Sequence, residues 1–72
     1  MNLGPQVWFV IKEAIPEAKG ATQLREELDS LELTQLCLDL EEILPFEIPE
    51  KEIQQLSTVE ELLDYVQRKL AA

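Results

Sequence analysis

The sequence predicts an all-α protein: a small antiparallel four-helix bundle, made of three main helices, one short helix and a long loop between the first two. Apolar residues recur at spacings of three and four in four segments, which is typical of helices with one buried face. No segment alternates apolar and polar residues as a half-buried strand does. The 72 residues suffice for one domain, which the prediction assigns to residues 1–72.

The first predicted helix runs from about Pro5 to Ile15. Proline is favoured in the first turn of a helix, and Pro16 prevents the helix from continuing. Residues 16–29 then form the long loop, in which Leu24 and Leu28 are expected to act as plugs, with their side chains packed into the core. The apolar stripe of this helix comprises Leu3, Val7, Val10, Ile11 and Ala14.

The second predicted helix begins near Ser30 and ends at Leu44, because Pro45 disfavours helical backbone in the residue before it. At about 100° per residue, one face is apolar and is expected to face the core. The opposite face is mostly polar but also carries two leucines, Leu31 and Leu38. The core face comprises Leu33, Leu36, Cys37, Leu40, Ile43 and Leu44.

Two further helices are predicted towards the end of the chain. Pro49 opens a short third helix, whose inward residues are Ile53 and Leu56. A capping box begins the fourth helix, and two overlapping registers satisfy it: Ser57 with Glu60, and Thr58 with Glu61. The apolar stripe of the fourth helix comprises Val59, Leu62, Leu63, Val66 and Leu70.

The charge of the chain restricts its partners. Six Lys and Arg stand against fifteen Asp and Glu, which gives a net charge of -9. This balance argues against nucleic acid and anionic membrane surfaces, both of which bind cationic proteins. It favours basic protein partners. The chain is expected to be a monomer. There is also no run of eighteen apolar residues that could cross a membrane.

The residue inventory excludes several kinds of chemistry. The chain has one cysteine, Cys37, and no histidine. An internal disulfide is therefore impossible, and a reducing, cytoplasmic location is expected. Zinc sites and His-based triads lack their ligands and bases, so the sequence predicts no metal-binding or catalytic residues.

The start of the second helix, Asp29-Ser30-Leu31, is the most informative position. A serine there is ordinarily an N-cap, but Asp29 can serve as the cap and leave the Ser30 hydroxyl free. Leu31 and Leu38 are seven residues apart and lie on the same outer side among acids. Such a pair is either a docking site or two scattered surface leucines, and the pattern alone leaves both open.

A series of motifs at fixed spacings resembles the acyl carrier protein family. The resemblance runs from about Asp29 to Tyr65 and extends to the first helix only in pattern. The motifs are Asp29-Ser30-Leu31-Glu32, Leu36, Leu40-Glu41-Glu42, Phe46-Glu47-Ile48-Pro49, Ser57-Thr58-Val59 and Asp64-Tyr65.

The resemblance implies that Ser30 receives 4′-phosphopantetheine from coenzyme A, delivered by a separate phosphopantetheinyl transferase that uses magnesium. The thiol of this arm would carry acyl groups as thioesters between acyl-loading and acyl-processing enzymes with basic docking patches. The implied recognition residues are Asp29, Leu31, Glu32, Leu38, Glu41 and Glu42. The residues implied to enclose the acyl chain, which the helical pattern alone assigns to the core, are Leu36, Leu40, Ile48, Ile53, Leu56 and Leu62.

Departures from the family pattern indicate a specialised member. Glu27 stands where the family often has glycine, and Gln35 stands where many fatty-acid carriers have an acid. Asp29 before the serine favours the fatty-acid or polyketide type over the peptidyl type. Met1 suggests a discrete protein, and the alternative is an excised domain with an added methionine. The alternative function is an acidic helical adaptor with the same bundle and no arm. An enzyme is disfavoured by the small size and the lack of histidine.

Overall fold

The computed structural model describes residues 3–71, and these residues form a helical bundle without β-strands. This confirms the predicted fold class. An isolated bridge pairs Gln23 with Thr58. No helix within the described range is both long and apolar enough to cross a membrane. The helices are α1 (Gly4–Ala14), α2 (Leu24–Glu27), α3 (Ser30–Ile43), α4 (Glu50–Ile53) and α5 (Val59–Ala71).

Helix α3 is the centre of the bundle. It packs against α1, α2 and α4, while α1 also packs against α5. Leu36 and Leu40 of α3 are almost completely buried, and Leu62 of α5 is fully buried. The predicted plugs Leu24 and Leu28 are buried as well, so the long connection contributes to the same core.

The ends of α1 and α3 lie within one residue of the prediction, because prolines define them. In α1 the last hydrogen bond runs from the Ile15 N–H to the Ile11 carbonyl at 2.8 Å, directly before Pro16. In α3 the residue before Pro45, Leu44, has left the helical conformation, as a pre-proline residue prefers. One stripe residue was wrongly placed in the core: Ala14 is exposed, because it borders an open groove between α1 and α3.

The long connection is attached to the beginning of α5. The Leu24 N–H donates to the Ser57 carbonyl at 2.8 Å, and the Val59 N–H donates to the Thr22 carbonyl at 3.0 Å. The connection also contains α2, a single turn that the sequence analysis did not predict. Four residues are too few for a helical period to be visible, and tertiary contacts stabilise such a turn.

Arg25 of α2 holds the end of α4. Its guanidinium Nη1 donates to the Leu56 carbonyl at 2.6 Å. Its Nη2 donates to the carbonyls of Gln54 at 2.7 Å and Ile53 at 3.1 Å. A planar guanidinium can serve three acceptors from one rigid fork, which a lysine ammonium cannot reproduce in the same geometry. Arg25 therefore fixes the position of α4 relative to the long connection.

We expect Arg25→Met to lower the free energy of unfolding by about 1 kcal/mol, because the hydrogen bonds to α4 are lost but water replaces part of them. Arg25→Lys should recover only a part of this loss. Urea unfolding followed by circular dichroism measures both. Lys51→Met, which removes an exposed cation of α4, is the matched control. Wild-type stability in Arg25→Met would show that the three contacts do not stabilise the fold.

Candidate functional site

Asp29 caps α3, so the cap does not require Ser30. The Glu32 N–H donates to Asp29 Oδ1 at 2.8 Å, and the Asp29 N–H donates to Glu32 Oε1 at 3.0 Å. This reciprocal pair is a capping box, and it satisfies two backbone N–H groups at the head of the helix. The N-cap of α3 is therefore Asp29 and not Ser30.

Ser30 is the first residue of α3, and its side chain is exposed. Within residues 3–71 its hydroxyl makes no hydrogen bond, nor do the backbone N–H groups of Ser30 and Leu31. The hydroxyl can therefore be reached from solvent without breaking any contact. The free N–H groups also present partial positive charge beside it, as the first turn of a helix does.

Two exposed leucines form an apolar crest on the outer side of α3. Leu31 is 82% exposed and Leu38 is 50% exposed, whereas most leucines of this chain are buried. The two are seven positions apart in the sequence, so they lie about two helical turns apart on one side. Thr34 and Gln35 between them are also exposed. The crest, Leu31 and Leu38, starts directly beside Ser30.

The acids predicted to recognise partners have different roles in the fold. Glu32 belongs to the capping box. Glu41 is half-buried, and its Oε2 accepts a hydrogen bond from the Ile48 N–H at 2.7 Å, which links α3 to the loop before α4. Glu42 is exposed, and its carboxylate makes no hydrogen bond or ion pair within the described part of the chain. Sequence spacing could not reveal the structural role of Glu41, since its partner lies beyond the helix end.

The segment of the chain that contains Ser30 is acidic. Between Arg25 and Lys51 the chain has nine acidic residues and no basic one. In the described part of the chain, Arg68 pairs with Asp64 at 3.5 Å, and Lys12 and Lys69 lie over aromatic rings. The nine acids are Glu26, Glu27, Asp29, Glu32, Asp39, Glu41, Glu42, Glu47 and Glu50.

The residues predicted to enclose an acyl chain are all buried in the core. An open cleft of about 210 Å³ lies between α3 and α4, and it adjoins only two of them, Ile48 and Ile53. Leu36, Leu40, Leu56 and Leu62 do not border this cleft. The other lining residues, which the sequence analysis did not assign to a cargo space, are Thr34, Cys37, Leu38, Glu41 and Glu50.

The Cys37 thiol is not a nucleophile at neutral pH. Burial is the main reason that its pKa rises from 9.0 to about 11, and the negative charge of Glu41 adds to the effect. The thiolate is the reactive form of cysteine, so a protonated buried thiol is inert. Because Cys37 is the single cysteine of the chain, any reactive thiol in its function has to be supplied from outside the sequence.

The chain is similar in sequence to one family model and to several known proteins. Residues 13–66 match the family model for the phosphopantetheine attachment site. The acyl carrier protein of Rubrobacter xylanophilus is 46% identical over 54 residues, which cover 75% of this chain and 64% of that protein. That of Thermosynechococcus vestitus is 39% identical, covering 85% and 73%. That of Chlamydia muridarum is 40% identical, covering 96% and 97%.

A helical bundle with a free serine at the head of an acidic helix, inside a phosphopantetheine-attachment region, defines a prosthetic-group carrier domain. The chain belongs to the acyl carrier protein family. This confirms the resemblance found in the sequence, and 4′-phosphopantetheine is the cofactor of the family. The family match also extends the resemblance back to residue 13, where sequence motifs had been visible only from Asp29.

Proposed function

We propose that this chain is an acyl carrier whose Ser30 is modified with 4′-phosphopantetheine from coenzyme A, and that residues 1–72 act as one carrier domain. The observation that carries the proposal is the division of roles at the head of α3. Asp29 caps the helix, and the Ser30 hydroxyl is exposed and free of hydrogen bonds within residues 3–71. When attached, the arm supplies the thiol on which acyl groups travel as thioesters.

Within residues 3–71 no base accepts a hydrogen bond from the Ser30 hydroxyl, so we infer that attachment requires a separate transferase. Asp29 Oδ1 already accepts the Glu32 N–H, and the sequence contains no histidine. An unactivated hydroxyl is a weak nucleophile. In the transfer the Ser30 oxygen would bond to the pantetheine-bearing phosphorus of coenzyme A, 3′,5′-adenosine bisphosphate would leave, and the serine proton would pass to a base of the transferase. The chain itself would act as a carrier and not as an enzyme.

The surroundings of Ser30 would hold a phosphodiester only loosely. The free N–H groups of Ser30 and Leu31 attract an anion at the helix head. The carboxylates of Asp29 and Glu32 lie in the same turn and repel it. Opposed forces of this kind suit an arm that extends into solvent and reaches into partner enzymes.

We assign partner recognition to the crest and the acids around it. Leu31 and Leu38 provide apolar contact, and the carboxylates steer basic patches of the transferase and of acyl-loading and acyl-processing enzymes towards Ser30. The cleft between α3 and α4, beside Ile48 and Ile53, is the proposed entrance for the acyl chain. The proposed recognition residues are Asp29, Leu31, Glu32, Leu38, Glu41 and Glu42.

The proposed setting is fatty-acid, polyketide or related lipid synthesis. The matched relatives are named acyl carrier proteins, and Asp29 before the serine favours this type. A single inert cysteine suits a reducing, cytoplasmic location. The net charge of -9 opposes self-association, so the carrier is proposed to act as a monomer.

Loading with a transferase tests the proposal. The purified chain is incubated with coenzyme A, magnesium and a broad-specificity phosphopantetheinyl transferase, and its intact mass is measured. We expect one arm per chain. An unchanged mass with several transferases would favour the alternative, an acidic adaptor that uses the exposed crest to bind proteins without any arm.

Neutralising the recognition acids should slow this loading. We expect Glu41→Gln with Glu42→Gln to lower the rate about threefold to tenfold at low salt and to flatten its dependence on ionic strength, because salt screens charge steering. Glutamine at position 41 keeps an oxygen for the Ile48 N–H. Glu17→Gln with Glu60→Gln removes the same charge elsewhere and is the control. Equal effects of the two pairs would refute a local docking surface.

A further inference from the structure

A second concave surface lies on the side of α3 opposite the open cleft between α3 and α4, which is called here the cargo cleft. It is a groove of about 470 Å³ between α1 and α3, called here the α1–α3 groove. Its apolar floor is formed by Val10, Ala14, Leu28, Leu36 and Ile43. Its polar rim is formed by Glu13, Glu32, Gln35, Asp39 and Glu42.

The α1–α3 groove is separate from the crest and from the cargo cleft. Leu38 and Glu41 border the cleft on the α4 side, and neither borders the groove. Leu31 borders neither space. Glu32 and Glu42 are the members of the proposed recognition set that also border the groove.

The dimensions of the groove suit a helix. Its α3 wall extends from Glu32 to Ile43, about three helical turns or roughly 16 Å. Its α1 wall extends from Val10 to Ala14, about one turn. Neighbouring helices leave a furrow between them into which the ridge of a third helix packs. A partner helix of three to four turns would cover the apolar floor over its full length.

The charge of the rim determines what such a helix has to carry. Four carboxylates border the groove, and no Lys or Arg is among its lining residues. Lys12, the cation of α1, lies over the Trp8 ring at 5.8 Å and is absent from the lining. Gln35 is uncharged and does not neutralise these carboxylates, although its Nε2 donates to Asp39 Oδ1 at 2.9 Å. A groove with an apolar floor and unneutralised acids on its rim complements a partner helix that has an apolar stripe flanked by cations.

The same charges argue against other occupants. A second copy of this chain also carries a net charge of -9 and would be repelled. Nucleic acid and anionic lipid have the same sign as the rim.

We propose that the α1–α3 groove binds a cationic amphipathic helix of a partner protein. The apolar stripe of that helix lies on Val10, Ala14 and Ile43. Its lysines or arginines face Glu13 on the α1 edge and Asp39 on the α3 edge. The proposal goes beyond the carrier function, because it requires neither Ser30 nor an arm.

A designed peptide tests the proposal. The probe is a fluorescein-labelled helical peptide of about 18 residues, with one leucine stripe flanked by lysines. Its binding to the Ser30→Ala protein is followed by fluorescence anisotropy, so that failure of arm attachment cannot affect the result. We expect saturable one-to-one binding that weakens with salt. A scrambled peptide of the same composition should bind at least about tenfold more weakly, since it lacks the stripe.

Matched variants locate the binding surface. Glu13→Lys with Asp39→Lys should weaken binding at least about tenfold, because both edges are reversed. The control pair, Glu26→Lys with Glu60→Lys, changes the net charge by the same amount at positions that do not line the groove. It should weaken peptide binding much less. Ala14→Gln, at an exposed position of α1, obstructs the floor without changing charge and should also reduce affinity. Circular dichroism establishes that each variant is folded.

Three results would overturn the proposal. The scrambled and striped peptides could bind equally, which would show attraction by net charge alone. The two charge-reversal pairs could have equal effects, which would place the peptide elsewhere. Amide chemical-shift changes could centre on Leu31 and Leu38 in place of Val10 and Ile43, which would assign the peptide to the crest.

Discussion

Ser30→Ala is expected to abolish addition of the arm while the free energy of unfolding stays within about 0.5 kcal/mol of wild type. The loss is complete because the hydroxyl oxygen is the atom that would form the new bond. Stability is preserved because Asp29 caps α3, and the Ser30 hydroxyl makes no hydrogen bond within residues 3–71. Intact-mass measurement after transferase treatment and urea unfolding provide the two readings.

The chain contains a natural control for this experiment. Ser57 is the second of its two serines, is also exposed and lies two residues before α5. Ser57→Ala should take the arm at the wild-type level. Asp29→Ala should cost about 1 kcal/mol of stability through loss of the cap. An arm on the Ser30→Ala protein, or a loss of stability like that of Asp29→Ala, would contradict the division of roles at this helix head.

Leu40→Ala is expected to cost about 2–5 kcal/mol of unfolding free energy, the range for truncating a buried leucine. Leu40 is 0% exposed and lies in the middle of α3, the helix that contacts α1, α2 and α4. A domain of this size has a total stability on the order of 4–11 kcal/mol. The variant would therefore lose a large share of its stability, which urea titration would detect as a lower midpoint.

Leu31→Ala is the matched comparison for that truncation. It removes the same atoms from the same helix, but Leu31 is 82% exposed. Its unfolding free energy should change by less than about 0.5 kcal/mol, as at most surface positions. Similar costs for the two variants would mean that α3 is not oriented as described, with Leu40 inward and Leu31 outward.

The main helices could be predicted from the sequence because short-range rules determine their ends. Proline cannot continue a helix, and it restricts the residue before it, so Pro16 and Pro45 located two helix ends within one residue. The head of α5 was ambiguous because two capping boxes overlap. In the structure Glu61 accepts the Thr58 N–H at 3.0 Å, and the Glu61 N–H donates to Thr58 Oγ1 at 3.1 Å.

The features that the sequence analysis missed depend on contacts between distant residues. The role of Arg25 depends on carbonyls about thirty positions later, at Ile53, Gln54 and Leu56. Glu41 meets Ile48 only because the chain turns after Pro45. The α1–α3 groove arises where two helices fail to close completely, which the periodicity of either helix alone cannot show. The exposed serine, crest and acids were predictable because each follows from position within a single helix.

The two concave spaces of this protein share one wall. The same α3 borders the cleft beside α4 and the groove beside α1, and it carries Ser30 at its head. A ligand that displaces α3 towards one side changes the width of the other space. If an occupant of one space alters the affinity of the other, thermodynamic reciprocity requires that the factor be the same in both directions. The proposed acyl cargo beside α4 and the proposed partner helix beside α1 are therefore expected to influence each other through α3.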